Sequence, residues 1–271
     1  MNEDWIQAIQ GMILDMDGVL WKESQALADL PAVFGQIRDQ GWQVMCMTNN
    51  STRTPDHYLE RLDSFGVELE PWQVINSSET TASYLKQEHP QGGSIYAVGE
   101  EGLYSALQDY GFEALHDQER ETLPLAVVAG MDRSLTYLKI EQAARLIRAG
   151  APFIGTNPDK TYPTPEGLSP GAGVVLAAIE AASGTSPTIM GKPHERMYLT
   201  ALERLGCSAQ EVLVVGDRLE TDIHGAQGVG CRSALVFSGV TSPQELDHWS
   251  PAPDLTAQDI HQLIVSITNY A

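Results

Sequence analysis

Positive charge is what this 271-residue chain has least of. Only 16 Lys and Arg stand against 36 Asp and Glu, giving a formal net charge of -20 at pH 7. Nucleic acids and anionic membranes are held through basic patches, so neither is an expected partner. Cysteine is scarce too: Cys46, Cys207 and Cys231 sit singly in apolar surroundings with no CxxC spacing. That set excludes a disulfide frame and a zinc site and fits reduced thiols in a cytoplasmic chain. The opening residues, Met1-Asn2-Glu3-Asp4, are acidic and lack the basic and apolar stretches of a secretory signal. No apolar run reaches membrane-spanning length, and no repeat or low-complexity tract is evident.

What the chain does have is an apolar run, Met12-Ile13-Leu14, that ends abruptly in Asp15-Met16-Asp17-Gly18. It reads as a buried strand stopping at a loop that carries two carboxylates. Asp-Gly is also ordinary turn chemistry, so the stretch alone decides nothing. In an open α/β sheet, however, ligands bind outside the carboxyl ends of strands.

The same alternation continues along the chain. A helix is expected over 26–40, stopped by Gly41, and a buried strand over 42–47 that runs into Thr48-Asn49-Asn50. Thr54-Pro55 should start a helix ending before Gly66, followed by a short strand at 74–76 and a helix over 79–88. Pro90-Gln91-Gly92-Gly93 breaks the composition and is taken as a domain boundary. Beyond it the alternation restarts: strands at 94–98, 125–129 and 153–154, and helices at 101–110, 140–149 and 169–182. A polar, proline-rich loop over 156–165 interrupts them. Ser186-Pro187 reads as the way back, leading to Gly191-Lys192-Pro193 and a helix over 194–205. Val212-Leu213-Val214-Val215 then forms a buried strand ending in Gly216-Asp217. A helix over 220–228, a strand over 233–237 and a helix over 257–269 complete the set. The expected architecture is α/β: a doubly wound parallel-sheet core made of 1–89 and 187–271, with an α/β domain inserted over 90–186.

Four features now share one grammar, an apolar strand whose carboxyl end delivers a polar group. Asp15 and Asp17 follow one strand, Thr48 the next, and Asp217 with Asp222 the last, while Lys192 precedes a helix. Converging carboxylates repel one another unless a cation sits among them, and hard oxygen ligands select Mg²⁺ over zinc. A carboxylate nucleophile can take a phosphoryl group as an acyl phosphate, and Lys192 with a divalent cation would mask the charge of the phosphate it attacks. Thr48 and backbone N–H groups of the loop suit the remaining phosphate oxygens. Asp17 would protonate the leaving oxygen and later activate water.

The residues amount to a resemblance. Asp15-Met16-Asp17-Gly18-Val19-Leu20, Thr48-Asn49-Asn50, Gly191-Lys192-Pro193 and Gly216-Asp217-Arg218-Leu219-Glu220-Thr221-Asp222 resemble the four ordered motifs of the haloacid dehalogenase superfamily. The likeness is to its NagD-like phosphatase branch. Gly130-Met131-Asp132-Arg133, Gly155-Thr156-Asn157-Pro158-Asp159 and Ser169-Pro170-Gly171-Ala172-Gly173 are similar to that branch's inserted α/β cap. The resemblance implies a Rossmann-like core with a C2-type cap, Asp15 as nucleophile and metal ligand, and Asp17 as acid/base with its carbonyl on the metal. It implies Thr48, Asn49 and Lys192 as phosphate binders, Asp217 as a direct ligand of Mg²⁺ and Asp222 as the support around it. Asn157 and Asp159 fall on a cap loop that faces the substrate in similar enzymes, although Asn-Pro-Asp is ordinary turn chemistry as well. Trp21 suits either flanking the substrate or packing. The implied partner is a small phosphate monoester such as phosphoglycolate, a nucleoside monophosphate, a sugar phosphate or 4-nitrophenyl phosphate; a homodimer is left open. Two alternatives are a dehalogenase of the same fold and a non-enzymatic phospho-aspartate signalling module. The first needs no Mg²⁺, and the second needs no inserted domain.

Overall fold

The computed structural model describes residues 4–115, 123–164 and 167–269. The chain opens with β1 (Gly11–Asp15), β2 (Trp21–Lys22), β3 (Gln25–Ala26), α1 (Leu30–Asp39), β4 (Gln43–Thr48), α2 (Pro55–Ser64) and β5 (Val74–Asn76). Then come α3 (Ser77–Glu88), β6 (Gly93–Val98), α4 (Glu101–Asp109), β7 (Phe112–Leu115), β8 (Ala126–Ala129), α5 (Tyr137–Arg148), β9 (Phe153–Gly155), β10 (Thr161–Thr164), β11 (Gly167–Pro170), α6 (Ala172–Ser183) and β12 (Thr188–Ile189). The last third holds α7 (Glu195–Leu205), β13 (Val212–Gly216), α8 (His224–Gly228), β14 (Arg232–Val236), α9 (Pro243–Leu246), β15 (Leu255–Ala257) and α10 (Ile260–Thr268). By contacts these elements form two units.

The first unit comprises the described residues of Met1–Thr48, Tyr58–Ile75 and Lys192–Ala271. Its sheet has the order β15-β14-β13-β1-β4-β5, and β1 lies parallel to both β13 and β4. All five residues of β1 and of β13 are buried, as expected for strands covered on both faces. Alternate side chains of β1 go to opposite layers. Met12 and Leu14 join Leu30, Val33 and Ile37 of α1 and Leu263, Ile264 and Ile267 of α10. Ile13 joins Met197, Tyr198 and Ala201 of α7 on the other side. The chain winds one way from β1 to β4 and the other way from β1 to β13, which makes β1 a topological switch point and its carboxyl edge the place for a ligand.

The second unit comprises Asn49–His57 and Asn76–Gly191. Its sheet, β12-β9-β8-β6-β7, is parallel throughout. One face packs Ala143 and Ile147 of α5 and Val175 and Ile179 of α6, the other Ala82 and Leu85 of α3 and Leu103 and Leu107 of α4. The boundary read at residue 90 therefore shifts to Asn76, because α3 buries its apolar side with β6 rather than with the first sheet. The return read at 187 shifts to Lys192, because β12 pairs with β9 and Met190 joins the same core.

Other differences are local. The helix expected from residue 26 begins at Leu30, since Asp29 caps it by accepting from Ala32 N at 3.2 Å while Gln25–Ala26 pairs with Trp21–Lys22. Part of the loop expected over 156–165, and the start of the helix expected at 169, form the β10-β11 hairpin instead. Pro165 in that loop, and Met1, Asn2 and Glu3 of the acidic start, lie outside the described residues. The helix expected over 220–228 is a π-type turn, Leu219–Ile223, running into α8.

Candidate active site

Parallel pairing aligns Asp15 with Met47, so Thr48 emerges beside Asp15 at one sheet edge, and Gly216-Asp217 emerges from β13 on the other side of β1. Lys192 reaches into this edge and is buried. Its Nζ donates to Asp15 Oδ1 at 2.5 Å, to Asp222 Oδ1 at 2.7 Å and to the Met47 carbonyl at 3.4 Å. Oxygens of Asp15, Asp217 and Asp222 lie within 4.8 Å of one another, and all three residues are buried. Asp222 Oδ2 accepts from Arg218 N at 3.1 Å, so both of its oxygens are engaged. Asp217 differs: Oδ2 accepts from Val240 N at 2.7 Å, whereas Oδ1 is buried without a hydrogen-bond partner.

Burial pushes the Asp15 carboxyl well above its ordinary range, and Asp222 and Asp217 add repulsion that Lys192 only partly offsets. Asp217 is pushed up to about 7, chiefly by burial and then by Asp222. Burial alone would weaken the Lys192 ammonium, but Asp15 and Asp222 outweigh it and hold it charged. Among the described residues, three buried acids thus face one buried cation, Lys192. An orphaned carboxylate oxygen within an all-oxygen donor set is what a hard divalent cation requires, so the residues fit Mg²⁺. The carboxylate of Asp17 stands apart from this trio among the described residues: its Oδ1 accepts from Trp21 Nε1 at 2.9 Å. Burial raises its pKa, opposed by the Trp21 hydrogen bond and by Arg61.

The loop after β1 is closed by its own backbone, with Gly18 N donating to Trp21 O at 2.8 Å and Leu20 N to Met16 O at 2.9 Å. Gly18 has φ +93°, and a Cβ there would lie 2.5 Å from Asp217 Oδ2. Ser238 Oγ donates to the Gly18 carbonyl at 2.7 Å.

Asn49 belongs by contacts to the second unit. Its carbonyl accepts from Ser77 Oγ at 2.6 Å and from Asn157 Nδ2 at 2.7 Å, and its own amide donates to Asp159 Oδ1 at 3.1 Å. Asn157 is buried, and its Oδ1 accepts from Asp159 N at 3.2 Å. Both cap residues singled out in the sequence therefore brace the loop that carries Asn49.

Sequence reasoning missed several supports. Tyr198 on α7 donates its hydroxyl to Thr221 O at 2.9 Å, which props the turn that carries Asp222. A Cβ on Gly239 would lie 1.9 Å from Asp217 Oδ2, and one on Gly216 2.1 Å from Asp222 Cβ. Trp21 is fully buried, which leaves packing and the Asp17 hydrogen bond as its contacts and not a flank of the substrate. Glycines and buried aromatics give no polar signal in a sequence, so only close packing exposes these roles.

The site and fold are those of a hydrolase family. The model of haloacid dehalogenase-like hydrolases matches residues 12–113, and a HAD-hydrolase-like model matches 189–263. An acid sugar phosphatase of Staphylococcus aureus is 31% identical over 94% of this chain and 96% of its own length. The chain belongs to the haloacid dehalogenase-like hydrolases. Within them it is NagD-like: NagD of E. coli K-12 superposes with a TM-score of 0.84 at 30% identity, over 93% of this chain and 97% of that one. The glycerol phosphate phosphatase of Mycobacterium tuberculosis, solved in complex with magnesium, gives 0.87 at 31% identity, over 96% of this chain and 77% of that one.

Proposed function

We propose that this protein is a Mg²⁺-dependent phosphoric monoester hydrolase that works through a phospho-aspartate on Asp15. The observation that carries the reading is the trio Asp15, Asp217 and Asp222 around Lys192 at the carboxyl edge of β1. Phosphatase names among the relatives, on sugar phosphate and glycerol phosphate, support a small phosphate monoester as substrate. Asp15 and Asp217, with the Asp17 carbonyl and with Asp222 in support, would hold Mg²⁺, which supplies charge masking for a dianionic phosphate.

A carboxylate oxygen of Asp15 bonds to phosphorus as the bond from phosphorus to the ester oxygen breaks, and Asp17 gives that oxygen its proton. Asp17, now ionised, takes a proton from water as the water oxygen bonds to phosphorus. The bond between phosphorus and Asp15 breaks, releasing inorganic phosphate and the free carboxylate. Lys192 orients Asp15 through its Oδ1 and offsets charge in both steps. Thr48 and backbone N–H groups at Asn49 hold the phosphate oxygens that do not react. The acid trio and an acid placed to protonate a leaving oxygen favour this over dehalogenation, in which halide leaves without a proton and no cation is needed. A signalling module would use no second unit with its own core.

The test is turnover of 4-nitrophenyl phosphate and a panel of phosphate monoesters with and without Mg²⁺. Asp15→Asn is expected to abolish activity, and EDTA to do so reversibly; activity that survives either would contradict the mechanism.

A further inference from the structure

The proton-transfer role of Asp17 leaves a small stack beside it without a function. Trp21 returns beneath Asp17 because the loop closes on itself, with Trp21 N donating to Met16 O at 3.2 Å and Gly18 N to Trp21 O at 2.8 Å. The indole is fully buried and its Nε1 donates to Asp17 Oδ1 at 2.9 Å. Phe65 stacks on the ring at 6.1 Å between centroids, with 30° between planes. Arg61 Cζ lies 4.3 Å from the ring centroid, and its Nη2 is buried without a hydrogen-bond partner. That guanidinium lies over the indole face, forms no ion pair among the described residues, and acts on the Asp17 carboxylate only through its charge.

A core tryptophan needs one acceptor for its N–H, and a backbone carbonyl would serve. Spending it on a carboxylate that must give and take a proton has two chemical effects. An N–H fixed on Oδ1 stops the carboxyl group from rotating. It also makes Oδ1 the carbonyl-like oxygen of the acid form, since a carbonyl oxygen accepts better than a hydroxyl, so the mobile proton resides on Oδ2. A cation over the ring face draws electron density from the indole and makes its N–H a better donor.

We propose that Trp21 is a positioning residue for Asp17, locking Oδ1 so that Oδ2 alone carries the proton, and that Arg61 strengthens this lock through the indole face. The proposal rests on the assignment of Asp17 as acid/base.

Trp21→Phe keeps an aromatic ring in contact with Phe65 and Arg61 and removes the N–H donor. The 4-nitrophenolate group leaves without a proton, so phosphorylation of the enzyme by 4-nitrophenyl phosphate does not need the acid, whereas hydrolysis of the acyl phosphate needs the base. The expected result with Mg²⁺ present is a nitrophenolate burst at close to the wild-type single-turnover rate, then a steady rate roughly tenfold or more below wild type. KM should fall in step with the steady rate, leaving kcat/KM for 4-nitrophenyl phosphate close to wild type. With an alkyl phosphate, whose leaving oxygen needs the proton, the variant should lose turnover with no burst. A burst rate that falls as far as the steady rate, or an unchanged steady rate, would overturn the proposal. Asp17→Asn is the control: it should stall after a burst. If it turns over normally, the assignment of Asp17 falls and the proposal with it. If it stalls but Trp21→Phe does not slow, only the proposal falls. The bond is also readable without that variant. Among the indole signals of the five tryptophans, the one assigned to Trp21 through the backbone should move upfield in Asp17→Ala by nitrogen-15 NMR. An unmoved signal overturns the bond.

Discussion

Lys192 is the residue on which the site's electrostatics turn. It is the partner of two buried carboxylates at once, and its removal would leave both without a counter-charge. Breaking a buried pair from one side costs about 3–5 kcal/mol, more than a surface bridge contributes in total. Lys192→Met is therefore expected to destabilise the metal-free protein by about that amount, read from urea unfolding in EDTA, and Mg²⁺ should recover part of it. A loss under about 1 kcal/mol would show that the two acids stay neutral there and that Lys192 is not their counter-charge. Asp15 and Asp217 were legible in the sequence because each follows an apolar run, where a charge is conspicuous, and Lys192 because it stands in Gly191-Lys192-Pro193 ahead of a helix. The bracing by Asn157 was not, because the same Asn-Pro-Asp composition serves a turn, a ligand contact or a strut equally well.

At the scale of elements, the loops after β1, β13 and β14 are shaped by what has no side chain. Gly239 approaches Asp217 so closely that a methyl group must displace either the carboxylate or the loop. Gly239→Ala should cost about 1–3 kcal/mol by overpacking. It should also abolish the stabilisation that Mg²⁺ gives the parent, seen by comparing unfolding with and without the ion. A retained Mg²⁺ response would mean that Asp217 does not need its present position.

The helix starts give a different prediction. Glu100 sits at the N-cap of α4 but sends its carboxylate to Arg133, accepting from Nε at 2.8 Å and from the Arg133 backbone N at 3.0 Å. These bonds, above all the side-chain one, hold its pKa below the ordinary glutamate value. A depressed carboxylate adds stability that is fully present above the unfolded-state pKa and is lost as pH falls through the folded-state one. Arg133 is exposed and Glu100 half-buried, so the pair is well screened and Glu100→Gln should cost under about 1 kcal/mol at pH 7 and nothing once both states are protonated. A cost that persists in acid would assign it to packing and not to charge. Most strands and helices could be placed from periodicity and caps alone, among them β5, α4 and α7. β7, β15 and the β10-β11 hairpin could not, since they are short, carry mixed polarity and take their form from a neighbouring strand.

For the whole molecule, the consequence of two separate cores is thermodynamic. The acid trio lies entirely in the first unit. An ion that binds only the folded form stabilises by about 2.7 kcal/mol at a hundredfold excess over its Kd, which corresponds to roughly 5–10 °C for domains of this size. Calorimetry should therefore show Mg²⁺ raising the transition of the first unit while that of the second stays in place. A single transition that moves as one would mean that the units unfold together. Composition and alternation sufficed to announce two units. Their seams did not show, because α3 and β12 belong to the second unit through contacts that no composition break marks.

The strand order around β1 also sets a timetable for synthesis. β1 leaves the ribosome first, and its neighbour β4 follows within some 30 residues, but its other neighbour, β13, starts only at Val212. Throughout the intervening translation one edge of this fully buried strand has no partner, while every strand of the second sheet is already out by Ile189. The later domain in the folding sense is thus the one whose sequence begins first. A nascent chain that has emerged to Gly191 with Val212 still inside the ribosome carries a complete second unit and an open, apolar strand edge in the first, the form most exposed to mispairing and to chaperones.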